Sequence, residues 1–248
     1  MERYLKLTED SILNGKIKLL QPDNGYRVAI DPIILSSFVC GLTHCGHKAT
    51  TIEKILDVGC GVGTISLILK MKKNASEVTA IDIDEKMCQI CRQNATINSL
   101  DVNVINTGLE SINSVLKDEL FDQVVTNPPF SNKNSSRISE SKRLANFETM
   151  DLYDWIAFCF KKLKNGGIFS LIHNASRIDD ILCSLKNIAG SIQIIPIFPK
   201  INCRANRIVV IAQKSSKSAS SILSGIVVHE NDGSYSDAMR KILSGSFL

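Results

Sequence analysis

The chain lacks any apolar run near the roughly 20 residues that a membrane helix needs. Its first residues, MERYLKLTED, lack the apolar stretch of a secretory leader. Both absences point to the cytoplasm, where the eight cysteines are expected to stay reduced. No second C-x-x-C accompanies Cys88 and Cys91, so a four-cysteine zinc site is excluded. Cys40, His44, Cys45 and His47 crowd into eight residues but match no common zinc spacing, and no metal is expected. Internal repeats are missing. So is the dinucleotide fingerprint G-x-G-x-x-G: counted from Gly59, its third glycine position holds Thr64.

What is present suits one α/β domain with a small elaboration. The 248 residues are 44% hydrophobic, enough for a large core. The net charge of +4 permits a nucleic-acid partner without demanding one. The informative stretch is ILDVGCGVG, residues 55–63. Ile55, Leu56 and Val58 read as a strand buried on both faces. Gly59, Gly61 and Gly63 follow at alternate positions, and TISLILKM then reads as a helix. Strand, glycine turn and helix bring a backbone close to a nucleotide-like ligand. The acidic Asp57 at the strand end can meet an ammonium group, which suits a ligand with no pyrophosphate.

Elsewhere the pattern is regular. KLTEDSIL and KIKLLQP flank Asn14-Gly15 and predict a hairpin. Asp31 and Pro32 predict a helix start, with Asp31 as its cap. VTAIDID is a second strand of the core, with Asp82 at its carboxyl end, where an acid can accept from ribose hydroxyls. VNVINTG is a third, and FDQVVTNPPF a fourth with its exit. DLYDWIAFCFKKLKNGG predicts a helix ending at Gly166-Gly167. IFSLIHN, SIQIIPIFP and ANRIVVIAQK complete seven strands. GIVVHENDGSYSDAMRKIL adds a strand and a short helix. The polar stretch from Ser131 to Thr149 is long enough to be functional or disordered.

Asn127-Pro128-Pro129-Phe130 is the second informative stretch. The prolines hold the backbone extended and offer no competing N–H. The Asn127 side chain and the Pro128 carbonyl are then acceptors able to grip a planar NH2 group. Phe130 supplies a flat surface for a base. Arg204 and Arg207, with Lys200, Lys214 and Lys217, run along the last two strands with no acid between them. They and Lys142 and Arg143 are candidates for phosphate contact.

The Asp-x-Gly-x-Gly-x-Gly strand resembles the first motif of the class I S-adenosylmethionine-dependent methyltransferases. Joined to N-P-P-F, it resembles those that modify planar amines. GYRVAIDPIILSSFV, ANRIVVIAQK and HENDGSYSDAMRKIL narrow the resemblance to the bacterial tRNA(Val) (adenine-N6)-methyltransferases. That resemblance implies a Rossmann-like fold, with a seven-stranded, mostly parallel sheet and helices on both faces. It implies an N-terminal extension over residues 1–50, a catalytic domain over residues 51–248, and a monomer. The cofactor would be S-adenosylmethionine, held by Asp57, Gly59, Cys60, Gly61, Gly63, Asp82, Ile83 and Asn127. Asn127, Pro128, Pro129 and Phe130 would hold a target adenine in tRNA. Arg27 and Asp31 would help to close the site, with Arg27 counted among the RNA-contacting residues. Two other enzymes share N-P-P: protein glutamine N5-methyltransferases and ribosomal RNA guanine-N2 methyltransferases. A non-catalytic RNA-binding protein that keeps the fold is the remaining alternative.

Overall fold

A computed structural model describes residues 6–24, 27–41, 54–72, 77–108, 111, 115–129 and 151–246. Phe130, Lys142, Arg143 and the whole Ser131–Thr149 stretch lie outside them, as do His44, Cys45 and His47.

The glycine-bearing strand sits at the centre. β1 (Leu7–Ile12) and β2 (Ile17–Pro22) form the expected antiparallel hairpin. α1 (Asp31–Gly41) follows, then β3 (Lys54–Val58), α2 (Thr64–Lys72), β4 (Glu77–Asp82), α3 (Glu85–Ile97) and β5 (Asn103–Asn106). β6 (Phe121–Thr126) precedes α4 (Leu152–Lys162), β7 (Leu163–Asn174) and α5 (Ile178–Leu185). β8 (Ala189–Lys200), β9 (Arg207–Lys214), β10 (Ser221–Ile222), β11 (Ile226–His229) and α6 (Asp237–Ser244) complete the chain.

The main sheet runs β5-β4-β3-β6-β7-β9-β8. β5 to β7 are parallel, and β9 is antiparallel to both its neighbours. These are the seven expected strands. Two short strands, β10 and β11, pair parallel with β8 and bring the sheet to nine. β10 is two residues long, too short to leave a periodic signal.

Each face carries its own core. Ile55 packs with α1, α2 and α6, while Leu56 and Val58 pack with α4 and α5. That is the alternation a strand covered on both faces must show.

Two expectations are corrected. The helix expected to reach Gly166-Gly167 ends at Lys162. Leu163 is already extended, fully buried and paired with Phe121 of β6, so burial in the sheet outweighs the continuing helical pattern. Lys214 Nζ takes up the helix's last carbonyls, donating to Phe160 and Leu163 at 2.5 and 2.7 Å. Asp31 is the first residue of α1 rather than its cap. Its carboxylate accepts instead from Arg207 Nε at 3.0 Å.

The hairpin is bolted to α3. Asn94 accepts from Leu20 N–H and donates to the Leu20 and Val62 carbonyls. Asn98 bonds both backbone groups of Lys18. β2 thus meets side-chain amides where another strand would otherwise pair.

Candidate active site

The strand order reverses between β3 and β6, and the crevice outside their carboxyl ends is where an open α/β sheet binds its ligand. A cavity of about 510 Å³ opens there, within the range of small-molecule sites.

The glycine turn forms its floor. Gly59 and Cys60 N–H both donate to the Ile81 carbonyl, at 2.9 and 3.0 Å, tying the turn to β4. Gly59, Gly61 and Gly63 all take positive φ. Behind the turn lies Asp57, fully buried. Its Oδ2 accepts from Ser66 N–H at 3.1 Å and Ser66 Oγ at 2.6 Å, so it braces the start of α2. Burial pushes its carboxyl up to about 7, against the opposing pull of the Ser66 hydrogen bonds. Oδ1 is buried with no partner. Asp57 is not on the cavity wall. Asp57, the residue expected to meet an ammonium group, thus lies beneath the turn, held there by its depth and by Ser66.

Asp82 does reach the wall. Its Oδ2 accepts from Gly61 N–H at 2.8 Å, and its Oδ1 from Asp84 N–H at 2.9 Å. Burial raises its carboxyl above the usual range. The helix cap is its neighbour Asp84, which accepts from Lys86 N–H. Ile83 also lines the cavity. Asn106, Thr107 and Gly108 do not; Asn106 Nδ2 bonds the Asp82 and Ile83 carbonyls from behind.

Across the crevice, β6 delivers Asn127, Pro128 and Pro129 to the wall. Asn127 Oδ1 is buried and has no hydrogen-bond partner. A buried acceptor left open costs about 1–3 kcal/mol unless something fills it. Trp155 of α4 and Thr64 of α2 also line the cavity, and neither was foreseen. Thr64 Oγ1 is a second buried atom without a partner; its sequence signal was its place directly after Gly63. Pro22, Asn24, Val28 and Pro32 make the third wall.

The remaining candidates fall elsewhere. Gly63 lies beneath the turn, against α3. Arg27 pairs with Asp10 at 2.7 Å and does not line the cavity. Arg207 stands at the cavity's edge of the sheet but is held by Asp31 and Asn174. Arg204 is exposed in the β8–β9 turn at that same edge. Lys214 lies at the opposite edge, so the supposed basic stripe is split. Cys88 and Cys91 are buried in α3. Among the described residues no cluster of three or more His, Cys, Asp or Glu could hold a metal.

The residues present fit S-adenosylmethionine. A Cβ at Gly61 would meet nothing within 4 Å, so the turn leaves room on the cavity side. Asp82 faces the same space, and two open acceptors wait on the walls. Sheet order, turn and crevice together are those of the class I S-adenosylmethionine-dependent methyltransferase fold. Solved structures agree on the fold. A predicted O-methyltransferase of Agrobacterium tumefaciens superposes with a TM-score of 0.68 at 21% identity, over 87% of this chain and 96% of its own. Another S-adenosylmethionine-dependent methyltransferase of that organism gives 0.58 at 14% identity, over 86% and 71%.

Residues 42–152, which hold both motifs, match the family model of the methyltransferase small domain. The chain is a methyltransferase that uses S-adenosylmethionine. Among curated relatives, a tRNA1(Val) (adenine(37)-N6)-methyltransferase of Shewanella baltica is 22% identical over 90% of this chain and 93% of its own. One of the same name from Aeromonas hydrophila is 25% identical over 90% of each. No helix among the described residues is long and apolar enough to cross a membrane.

Proposed function

We propose that the protein methylates N6 of an adenine in tRNA, the base beside the anticodon in tRNA(Val). The observation that carries this is Asn127 Oδ1, a buried acceptor with no partner on the wall of the cofactor cavity. Beside it, Pro128 has a carbonyl and no N–H. Two acceptors, with no competing backbone N–H on either proline, suit the two hydrogens of an exocyclic amine. S-adenosylmethionine supplies a sulfonium methyl that an amine lone pair can displace from sulfur. Asn127 and Pro128 hold the amine so that its lone pair faces that methyl. An exocyclic amine is a poor nucleophile, so orientation matters more than a strong base. A held attack geometry is worth about 7–11 kcal/mol at best.

In this reading Asp82 accepts from the cofactor ribose, the glycine turn carries its methionine end, and Ile83 packs beside it. Phe130 stacks on the target base. The N-terminal segment closes the site through Pro22, Asn24 and Val28. Arg204 at the cavity's edge meets phosphate, with Lys142 and Arg143. An anticodon loop already presents unstacked bases, which lowers the cost of extruding one. The names of the full-length relatives support tRNA as the acceptor.

The test is transfer from labelled S-adenosylmethionine into separated tRNA, ribosomal RNA and protein of a strain lacking the gene. Label recovered from tRNA as N6-methyladenosine is expected. Label in protein glutamine, or in ribosomal RNA as methylguanosine, would overturn the acceptor and keep the class.

A further inference from the structure

Trp155 is the chain's sole tryptophan, and the proposed methyl transfer gives it no task. It is buried, with a relative exposure of 2%, yet its ring reaches the cavity. Its Nε1–H donates to Thr126 Oγ1 at 3.0 Å. Thr126 Oγ1 in turn donates to the Val58 carbonyl at 2.8 Å. The hydroxyl thereby spends its one proton and one of its two accepting lone pairs. Thr126 is the residue before Asn127, and Val58 the residue before Gly59. On its other side the indole lies under the turn: a Cβ at Gly59 would stand 3.2 Å from Trp155 Cζ2 and Cη2.

We infer that Trp155 and Thr126 are positioning residues that set the distance between the cofactor turn and the acceptor-holding Asn127. The backbone ladder between β3 and β6 ends at the Val58–Thr126 pair. Beyond it one chain continues to Gly59 and the other to Asn127, and among the described residues the side-chain bridge ties the two at that point. Indole, hydroxyl and carbonyl fix α4, β6 and β3 at one point. Displacing a reactant by about 1 Å can cost roughly 100-fold in rate. The inference rests on Asn127 holding the acceptor amine, not on which macromolecule carries it.

Three variants test it: Thr126→Val, Thr126→Ser and Trp155→Phe. Turnover is read with total RNA and protein from the deletion strain as acceptor, so transfer is seen whatever the acceptor. Cofactor affinity is read separately by calorimetry with S-adenosylhomocysteine. Thr126→Val should lower kcat about 10–100-fold while the Kd for S-adenosylhomocysteine stays within about threefold. Thr126→Ser, which keeps the hydroxyl, should restore turnover. Trp155→Phe, which keeps a ring under Gly59 but loses the N–H, should follow Thr126→Val and decides the matter alone if that variant does not fold. Wild-type turnover in both hydrogen-bond variants would overturn the inference. So would a loss of cofactor affinity as large as the loss of turnover. Wild-type label appearing outside tRNA would instead sink the acceptor proposal and leave this test standing.

Discussion

Replacing Gly63 by alanine isolates why the turn needs glycine there. Gly63 has φ +91°. A methyl group on it would stand 2.5 Å from Cys91 Sγ, and Cys91 is fully buried in α3. Two costs therefore act. The left-handed backbone costs a residue with a Cβ roughly 1–2 kcal/mol. Forcing extra volume into a packed core adds about 1–3 kcal/mol. Gly63→Ala should lose about 2–5 kcal/mol of stability in urea titration, a large share of the roughly 5–15 kcal/mol of a typical domain. The steric share has a signature. In a Cys91→Ala background the sulfur is gone, so a double-mutant cycle should return a coupling of about 1–3 kcal/mol. Gly61→Ala is the control: φ is +54° with nothing within 4 Å, so it should lose only the backbone share but weaken cofactor binding. If Gly63→Ala were equally destabilising with and without Cys91, the close approach to α3 would not be the reason for glycine.

Other outcomes follow from the same geometry. Asn127→Ala should cut transfer at least about 100-fold while the cofactor still binds in calorimetry. Asp57 holds its proton up to about pH 7 when folded and to about 4 when unfolded. The folded state therefore binds more protons across that window, and stability should fall as pH rises from about 4 to 7, by at most about 4 kcal/mol, then level off. Asp57→Asn should remove that slope in urea titrations across pH. Asn94→Ala would strip partners from Leu20 and Val62. It should cost about 2–4 kcal/mol and open the hairpin to limited proteolysis before the core.

Local signals in the chain led directly to the site. Alternating glycines after an apolar run, an acid at the next strand's end and a double proline after the fourth strand are all short-range patterns, and each marks the cavity. What stayed hidden depended on distant partners. Arg207 and Asp31 are 176 residues apart in sequence, so a basic stripe and a helix cap were expected where an ion pair stands. Lys200, Arg204 and Lys214 look contiguous in the chain, but an antiparallel turn puts Lys214 at the far edge of the sheet. Asp57 sits beside the glycines in the chain, but its depth and its bracing of α2 through Ser66 are visible only in the fold. Trp155 read as one apolar position of a helix, since nothing local tells which buried ring faces a cavity. Leu163 carried on a helical pattern, and its pairing with Phe121 decided otherwise.

The most direct measurement is single-turnover methylation of two tRNA(Val) anticodon arms, one with adenine and one with inosine beside the anticodon. Inosine keeps the purine ring and replaces the exocyclic amine with an oxygen. The account predicts label on the adenine arm as N6-methyladenosine, none on the inosine arm, and none on either with Asn127→Ala. Equal label on both arms, or a wild-type rate for Asn127→Ala, would contradict it.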